Sequence, residues 1–256
     1  MFIKKFLSII FVLLLSLFCC SCFLNLDNQD GSSSTPPPEA NNVDFSSLTY
    51  IAYGDSITYG ADYTRAYAQM DDPYPELVSN ILGLKSHSNL AVSGATLCSN
   101  NLNLVCMTDR IVANTTTADI VSVLMGVNDF NRSLPLGNIE DTTNSTVYGS
   151  LYLIAEHFKA HYSNSFVFFM TPFKQSYGGK DSYTLNSQNY TLFDVATAIK
   201  EVANKYNFPV LDLFEYGQYE LEMYNANSDG IHPSQEFFRT YTAPQIAQFI
   251  KDNYNK

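Results

Sequence analysis

Basic residues are scarce in this chain. Its 256 residues hold 14 Lys and Arg against 25 Asp and Glu, a formal net charge of −11. If Lys4 and Lys5 leave with a cleaved leader, 12 basic residues face the same 25 acidic ones and the charge becomes −13. A surface so charged repels the phosphates of nucleic acids and anionic lipid headgroups at long range, which favours a neutral substrate and excludes nucleic acid as a partner. Cysteine is scarce as well. Of five, Cys19, Cys20 and Cys22 sit in the amino-terminal apolar segment, leaving Cys98 and Cys106. Outside the cytosol these two could close a short loop as a disulfide; two free buried thiols are the alternative. Metal ligands are few: His157 and His161 stand four apart on one amphipathic run, but no third ligand accompanies them and the pattern is not HEXXH. No internal repeat is visible.

What is present begins with a leader. MFIKK supplies basic charge, FLSIIFVLLLSLF an apolar stretch and CCSC a cluster of small residues, the layout of an export signal. The apolar stretch is marginal for a bilayer span, which takes about 20 residues. Cys22, preceded by Ser21, resembles the modified cysteine of a bacterial lipoprotein signal, although Cys19 and Cys20 depart from its usual aliphatic and small residues. Lipid anchoring through Cys22 is the reading adopted, against an uncleaved anchor or plain secretion. Residues 23–44, with DNQDGSSSTPPPEANN inside them, have little to bury and read as a flexible tether. The organisation expected is therefore a signal at 1–22, a tether at 23–44 and one domain at 45–256, held outside the cytoplasm at the cell surface.

Within the domain, short apolar runs alternate with longer amphipathic ones. TYIAYG, SNLAV, DIVSVLMG, FVFFMTP and PVLDLF read as strands. Between and after them, YPELVSNILG, DRIVANTT, STVYGSLYLIAEHFKAHY, YTLFDVATAIKEVANKYN and SQEFFRTYTAPQIAQFIKDNY read as helices, the last kinked or restarted near Pro244. Strands apolar on both faces, alternating with helices, predict a five-stranded parallel sheet covered on both sides, an α/β fold. Such sheets bind ligands beyond the carboxyl ends of their strands.

Polar motifs fall at those ends. GDSITYG (54–60) follows the first strand, SGAT with Gly94 the second, and GVNDF (126–130) with Asn128 the third; DGIHPS (229–234) lies beyond the fifth. Singly, each fits an ordinary turn or cap. Together they cover one reaction, acyl transfer, without duplication. Ser56 is a hydroxyl nucleophile that needs an adjacent base. His232 can be that base, with Asp229 fixing its tautomer. The backbone N–H groups of Ser56 and Gly94 and the side-chain amide of Asn128 would hold the oxyanion.

These four blocks resemble the SGNH hydrolases, also called GDSL-type esterases and lipases, named for Ser, Gly, Asn and His at positions that here match Ser56, Gly94, Asn128 and His232. The resemblance runs from about Leu48 to the final helix. One departure is Ala91, where many relatives carry Gly. The resemblance implies a flavodoxin-like three-layer α/β/α sandwich, ester hydrolysis with no metal or cofactor, and bracing roles for Asp55 and Asp129. GDSITYG lacks a glycine two places after Ser56, so it is not the G-X-S-X-G elbow of α/β-hydrolases. Loops 60–74, 130–145 and 172–188 would shape the pocket. Tyr59, Tyr63, Tyr148, Tyr177, Tyr183 and Phe130 read as core or surface by default, a few of them suited to paving a cleft. The substrate expected is an acyl ester, an acetylated carbohydrate ahead of a lipid; a binding protein that kept the fold without activity is the rival class.

Overall fold

In a computed structural model, residues 43–99, 101–215 and 229–254 are described. The signal at 1–22 with Cys22, and the tether up to residue 42, lie outside the described residues.

Five strands form one parallel sheet: β1 (Thr49–Gly54), β4 (Ser86–Asn89), β5 (Ile120–Leu124), β6 (Phe166–Met170) and β9 (Val210–Leu211), in the order β4-β1-β5-β6-β9. That order reverses between β1 and β5, the flavodoxin-like switch point where a crevice opens beyond the carboxyl ends. Gly54 pairs with Leu124 at that end, so the segments after β1 and β5 flank the crevice.

The three central strands bury nearly every side chain because both faces are covered. The exception in composition, Ser122, is satisfied by the Tyr50 hydroxyl at 2.7 Å, since an unpaired polar group there would cost about 1–3 kcal/mol. On the helical side, α2 (Tyr74–Leu82) packs against α8 (Ala243–Asn253). A second group comprises α3 (Met107–Ala113), α5 (Val147–His161) and α6 (Leu192–Lys205), in which α5 touches both of the others. The result is a three-layer α/β/α sandwich. Local chemistry sets the helix starts: Thr191 and Asp194 form a reciprocal capping box at α6, and Thr146 caps α5.

The second strand of the sequence, expected at SNLAV, begins two residues earlier at Ser86 and lies on the sheet edge, half exposed in alternation. It is therefore not buried on both faces. Its ladder does continue to the expected end, with Leu90 N–H donating to Ala52 O and Val92 N–H to Gly54 O. The helix expected at DRIVANTT starts earlier, at Met107, and stops at Ala113. Near Pro244 the last helix contains a π-helical turn, Phe238–Thr242, following α7 (Gln235–Phe237). Ala243 N–H reaches back five residues to Phe238 O, a widening next to a proline that has no N–H to donate. Two short hairpins had no signature in the hydrophobic pattern: β2 (Ala61–Asp62) with β3 (Ala68–Gln69), and β7 (Ser176–Tyr177) with β8 (Lys180–Asp181).

Candidate active site

GDSITYG turns directly from β1 into α1 (Ser56–Tyr59). Asp55 is the cap, its Oδ1 accepting the Ile57 N–H at 3.0 Å. The turn is so tight that a Cβ on Gly54 would stand 1.9 Å from Thr58 Oγ1, so only glycine fits there. Ser56, as the first residue of α1, is 5% exposed.

His232 comes from the far end of the chain and meets it. His232 Nε2 lies 2.8 Å from Ser56 Oγ, and its Nδ1 lies 3.0 Å from Asp229 Oδ2 and 3.1 Å from Oδ1. An ionised carboxylate only accepts, so Nδ1 carries the proton and Nε2 is left to accept from the serine hydroxyl. Asp229 also accepts the backbone N–H groups of Ile231 (3.0 Å) and His232 (2.9 Å). Burial pushes its carboxyl upward, but those N–H groups and the imidazole outweigh it and hold the carboxyl below its ordinary value.

Gly94 and Asn128 stand on the adjoining loops. Gly94 has φ of +77°, which favours glycine, and it sits in the loop that Val92 N–H ties to the end of β1. Asn128 belongs to α4 (Val127–Asn131); its Nδ2 donates to Ala95 O at 2.9 Å and its Oδ1 accepts from Arg132 Nη1 at 2.7 Å. An amide NH₂ has two hydrogens, and the second is available for a ligand. Arg132 thereby fixes which way the amide faces. Its one signal in the sequence is its place one helical turn after Asn128.

Asp129 is fully buried and receives the Leu97 N–H and Cys98 N–H, both at 2.9 Å, fastening the Gly94 loop to α4. Asn89, the last residue of β4, ties that strand's end to α1, donating from Nδ2 to Thr58 O at 2.7 Å. These contacts are bracing of the kind the resemblance implied for Asp55 and Asp129. Cys98 and Cys106 are both in the thiol form, not joined as a disulfide. His157 and His161 stack on each other at 4.3 Å on α5, and among the described residues no three potential metal ligands converge. Phe130 is fully buried and Tyr148 donates to Glu201, whereas Tyr177 and Tyr183 are exposed on the 172–188 loop.

Burial pushes Asp55 up to about 7, with the Asp129 charge adding and the Ile57 N–H and Arg132 opposing. A carboxyl whose folded value exceeds its unfolded one makes the folded state hold more protons between the two, so stability falls as pH rises from 3.8 to about 7 and is flat above. Asparagine in place of this aspartate would cap the helix equally well and cannot ionise. The variant Asp55→Asn should therefore match the wild type near pH 4 and exceed it at pH 8 by roughly 2–4 kcal/mol. Thermal melts of both proteins across that range measure the difference; parallel curves would show that Asp55 is not the titrating group.

Fold and site together are those of a three-layer α/β/α hydrolase. Residues 52–239 match the model of the GDSL-like lipase/acylhydrolase family, and the chain belongs to that family, whose members act on esters. No curated protein sequence matches the chain. Among solved structures, a protein from Lactobacillus plantarum is 23% identical, with a TM-score of 0.69 over 82% of this chain and 99% of its own. A possible lipase from Chitinophaga pinensis is 20% identical, with a TM-score of 0.65 over 80% and 98%. A carbohydrate acetylesterase family member from Sinorhizobium meliloti is 15% identical, with a TM-score of 0.52 over 80% and 98%. At these identities the likeness is one of fold.

Proposed function

We propose that the protein is a serine esterase acting through an acyl-enzyme. The observation that carries this reading is the unbroken hydrogen-bond chain from Ser56 Oγ through the His232 ring to Asp229. Ser56 Oγ attacks the ester carbonyl carbon while its proton passes to His232 Nε2. The carbonyl oxygen, now an anion, is held by the N–H groups of Ser56 and Gly94 and by the free Asn128 hydrogen. Collapse breaks the bond to the alcohol, which leaves with the Nε2 proton, and the acyl group stays on Oγ. Water then attacks that ester, gives a proton to Nε2, and the acid departs as Oγ recovers the proton. Asp229 stays ionised throughout and stabilises the imidazolium.

For the substrate, the reading adopted is a short acyl, above all acetyl, ester of a carbohydrate. Its support is the character of the 172–188 loop, which Ser176 N–H ties to Gly230 O in the turn of His232: Tyr177 and Tyr183 are exposed on it, interspersed with Ser176 and Lys180. Tyrosines beside hydrogen-bonding groups suit sugar rings and hydroxyls, whereas a lipid acyl chain calls for a broad aliphatic wall. The leader ending at Cys22 would hold the enzyme outside the cytoplasm, where acetylated glycans are found; the acidic charge keeps it from lying on an anionic bilayer.

A fluorophosphonate probe and a substrate panel test both levels. Ser56 should be labelled, as an inert binding protein's would not. Chromogenic esters from two to twelve carbons should be cleaved fastest at the short end, and acetylated glycans should release acetate. Rates that climb past about eight carbons, with no acetate released, would replace the carbohydrate reading by a lipid acyl hydrolase.

A further inference from the structure

The tip of the β2–β3 hairpin is built against the backbone's preference. Ala66 and Tyr67 are consecutive non-glycine residues in the left-handed region, with φ of +53° and +62°. Each such residue costs on the order of 1–3 kcal/mol, and a bulky side chain there is uncommon. The turn is closed by the Tyr67 N–H donating to Asp62 O at 2.8 Å. Its effect is to aim one side chain. The Tyr67 hydroxyl donates to Asp229 Oδ2 at 3.1 Å, and its ring meets the His232 ring edge to face at 5.2 Å between centroids. The residue is nevertheless 48% exposed, so burial of the ring does not account for the strained turn.

The two oxygens of Asp229 are served differently. Oδ1 takes two backbone N–H groups of its own turn, which fix it regardless of the rest of the molecule. His232 Nδ1 is within reach of both oxygens, 3.0 Å from Oδ2 and 3.1 Å from Oδ1, and Oδ2 also takes the Tyr67 hydroxyl, a donor 162 positions away in the chain. We propose that Tyr67 is a positioning residue for the catalytic pair, its hydroxyl holding the Asp229 carboxylate in the plane of the imidazole and its ring setting the tilt of His232. The inference rests on the assignment of Ser56, His232 and Asp229 made above. The same hydrogen bond from Tyr67 to Asp229 raises the phenol above its ordinary value, so it remains a donor over the whole range in which an esterase works. Once Tyr67 leaves, Oδ2 loses a donor, and a carboxylate anchored outside the imidazole only through Oδ1 can pivot about that anchor and holds the imidazolium less well in the transition state. Binding of the ester is untouched, because Tyr67 acts through Asp229 and not on the carbonyl.

The test is Tyr67→Phe, which keeps the ring, beside Tyr67→Ala, which removes it. With a short chromogenic ester, Tyr67→Phe should lower kcat roughly three- to tenfold and change KM less than about twofold, and Tyr67→Ala should lower kcat further. The downfield proton resonance of His232 Nδ1–H should shift in Tyr67→Phe. An unmoved resonance with kcat within about twofold of the wild type would overturn the proposal, as would a change confined to KM. Fluorophosphonate labelling of the wild type separates the two levels: no labelling defeats the serine assignment itself, while labelling with an unchanged Tyr67→Phe enzyme defeats only the role of Tyr67.

Discussion

Ser56→Ala should cut turnover of a short-chain ester by about 10⁴- to 10⁶-fold and leave the fold intact. The loss is large because the nucleophile, its base and the orienting carboxylate act as a unit: without Oγ, the basic Nε2 of His232 has no hydroxyl to deprotonate. What survives is the catalysis that oxyanion stabilisation gives to an attacking water. His232→Ala should fall to the same floor, and the double variant should fall no further, since either deletion already abolishes the shared step. The fold is spared because Ser56 contributes one hydroxyl to a turn whose geometry is held by Gly54, the Asp55 cap and the backbone of α1. Steady-state kinetics and a thermal melt settle the matter together. A Ser56→Ala enzyme that retained more than about one part in a hundred of its activity would remove Ser56 from the mechanism.

Asn128→Ala should lower kcat by about 10²- to 10³-fold with little change in KM, the signature of a donor whose worth appears only when the oxyanion forms. Two side effects need separating. The change strands Arg132, whose Nη1 loses its acceptor, and Ala95 O, which loses its donor. Asn128→Asp is the control, because it keeps the shape and gives Arg132 a stronger partner, but sets a negative oxygen where the oxyanion must form. Its kcat should fall at least as far as that of the alanine variant. If Asn128→Asp kept most of its activity at an unchanged melting temperature, Asn128 would serve the loop alone.

Much of this was legible in the sequence for a physical reason. IVSVL and FVFFM carry their burial on both faces, so they announce the central strands of a covered sheet, and a polar block after a strand of such a sheet can only lie at its carboxyl edge. The edge strand is less legible: SHSN is polar, is half exposed and owes its place to hydrogen bonding with β1, which leaves no apolar pattern. The hairpins left none either, being pairs of two residues each, of whose eight side chains only Ala61 is buried. Tyr67 was hidden for that reason, since its role depends on a left-handed backbone at Ala66 and on a carboxylate 162 positions away. Arg132 was hidden differently. A charged residue one turn after Asn128 reads as a solvated helix face until the amide it holds is known.

Ser56 and His232 are joined by a hydrogen bond that spans 176 positions, and the turn bearing His232 leads into the helix that packs on α2. A ribosome delivers the two halves of this site at opposite ends of synthesis. While the chain is still being made, the serine is present without its base, and β1, β4, β5 and β6 can assemble around a centre that cannot react. On the proposed mechanism, activity would arrive in one step, when the last helix docks. Hydrolysis would thus be a built-in report of complete folding, and a chain cut anywhere before residue 229 would carry a serine without its base.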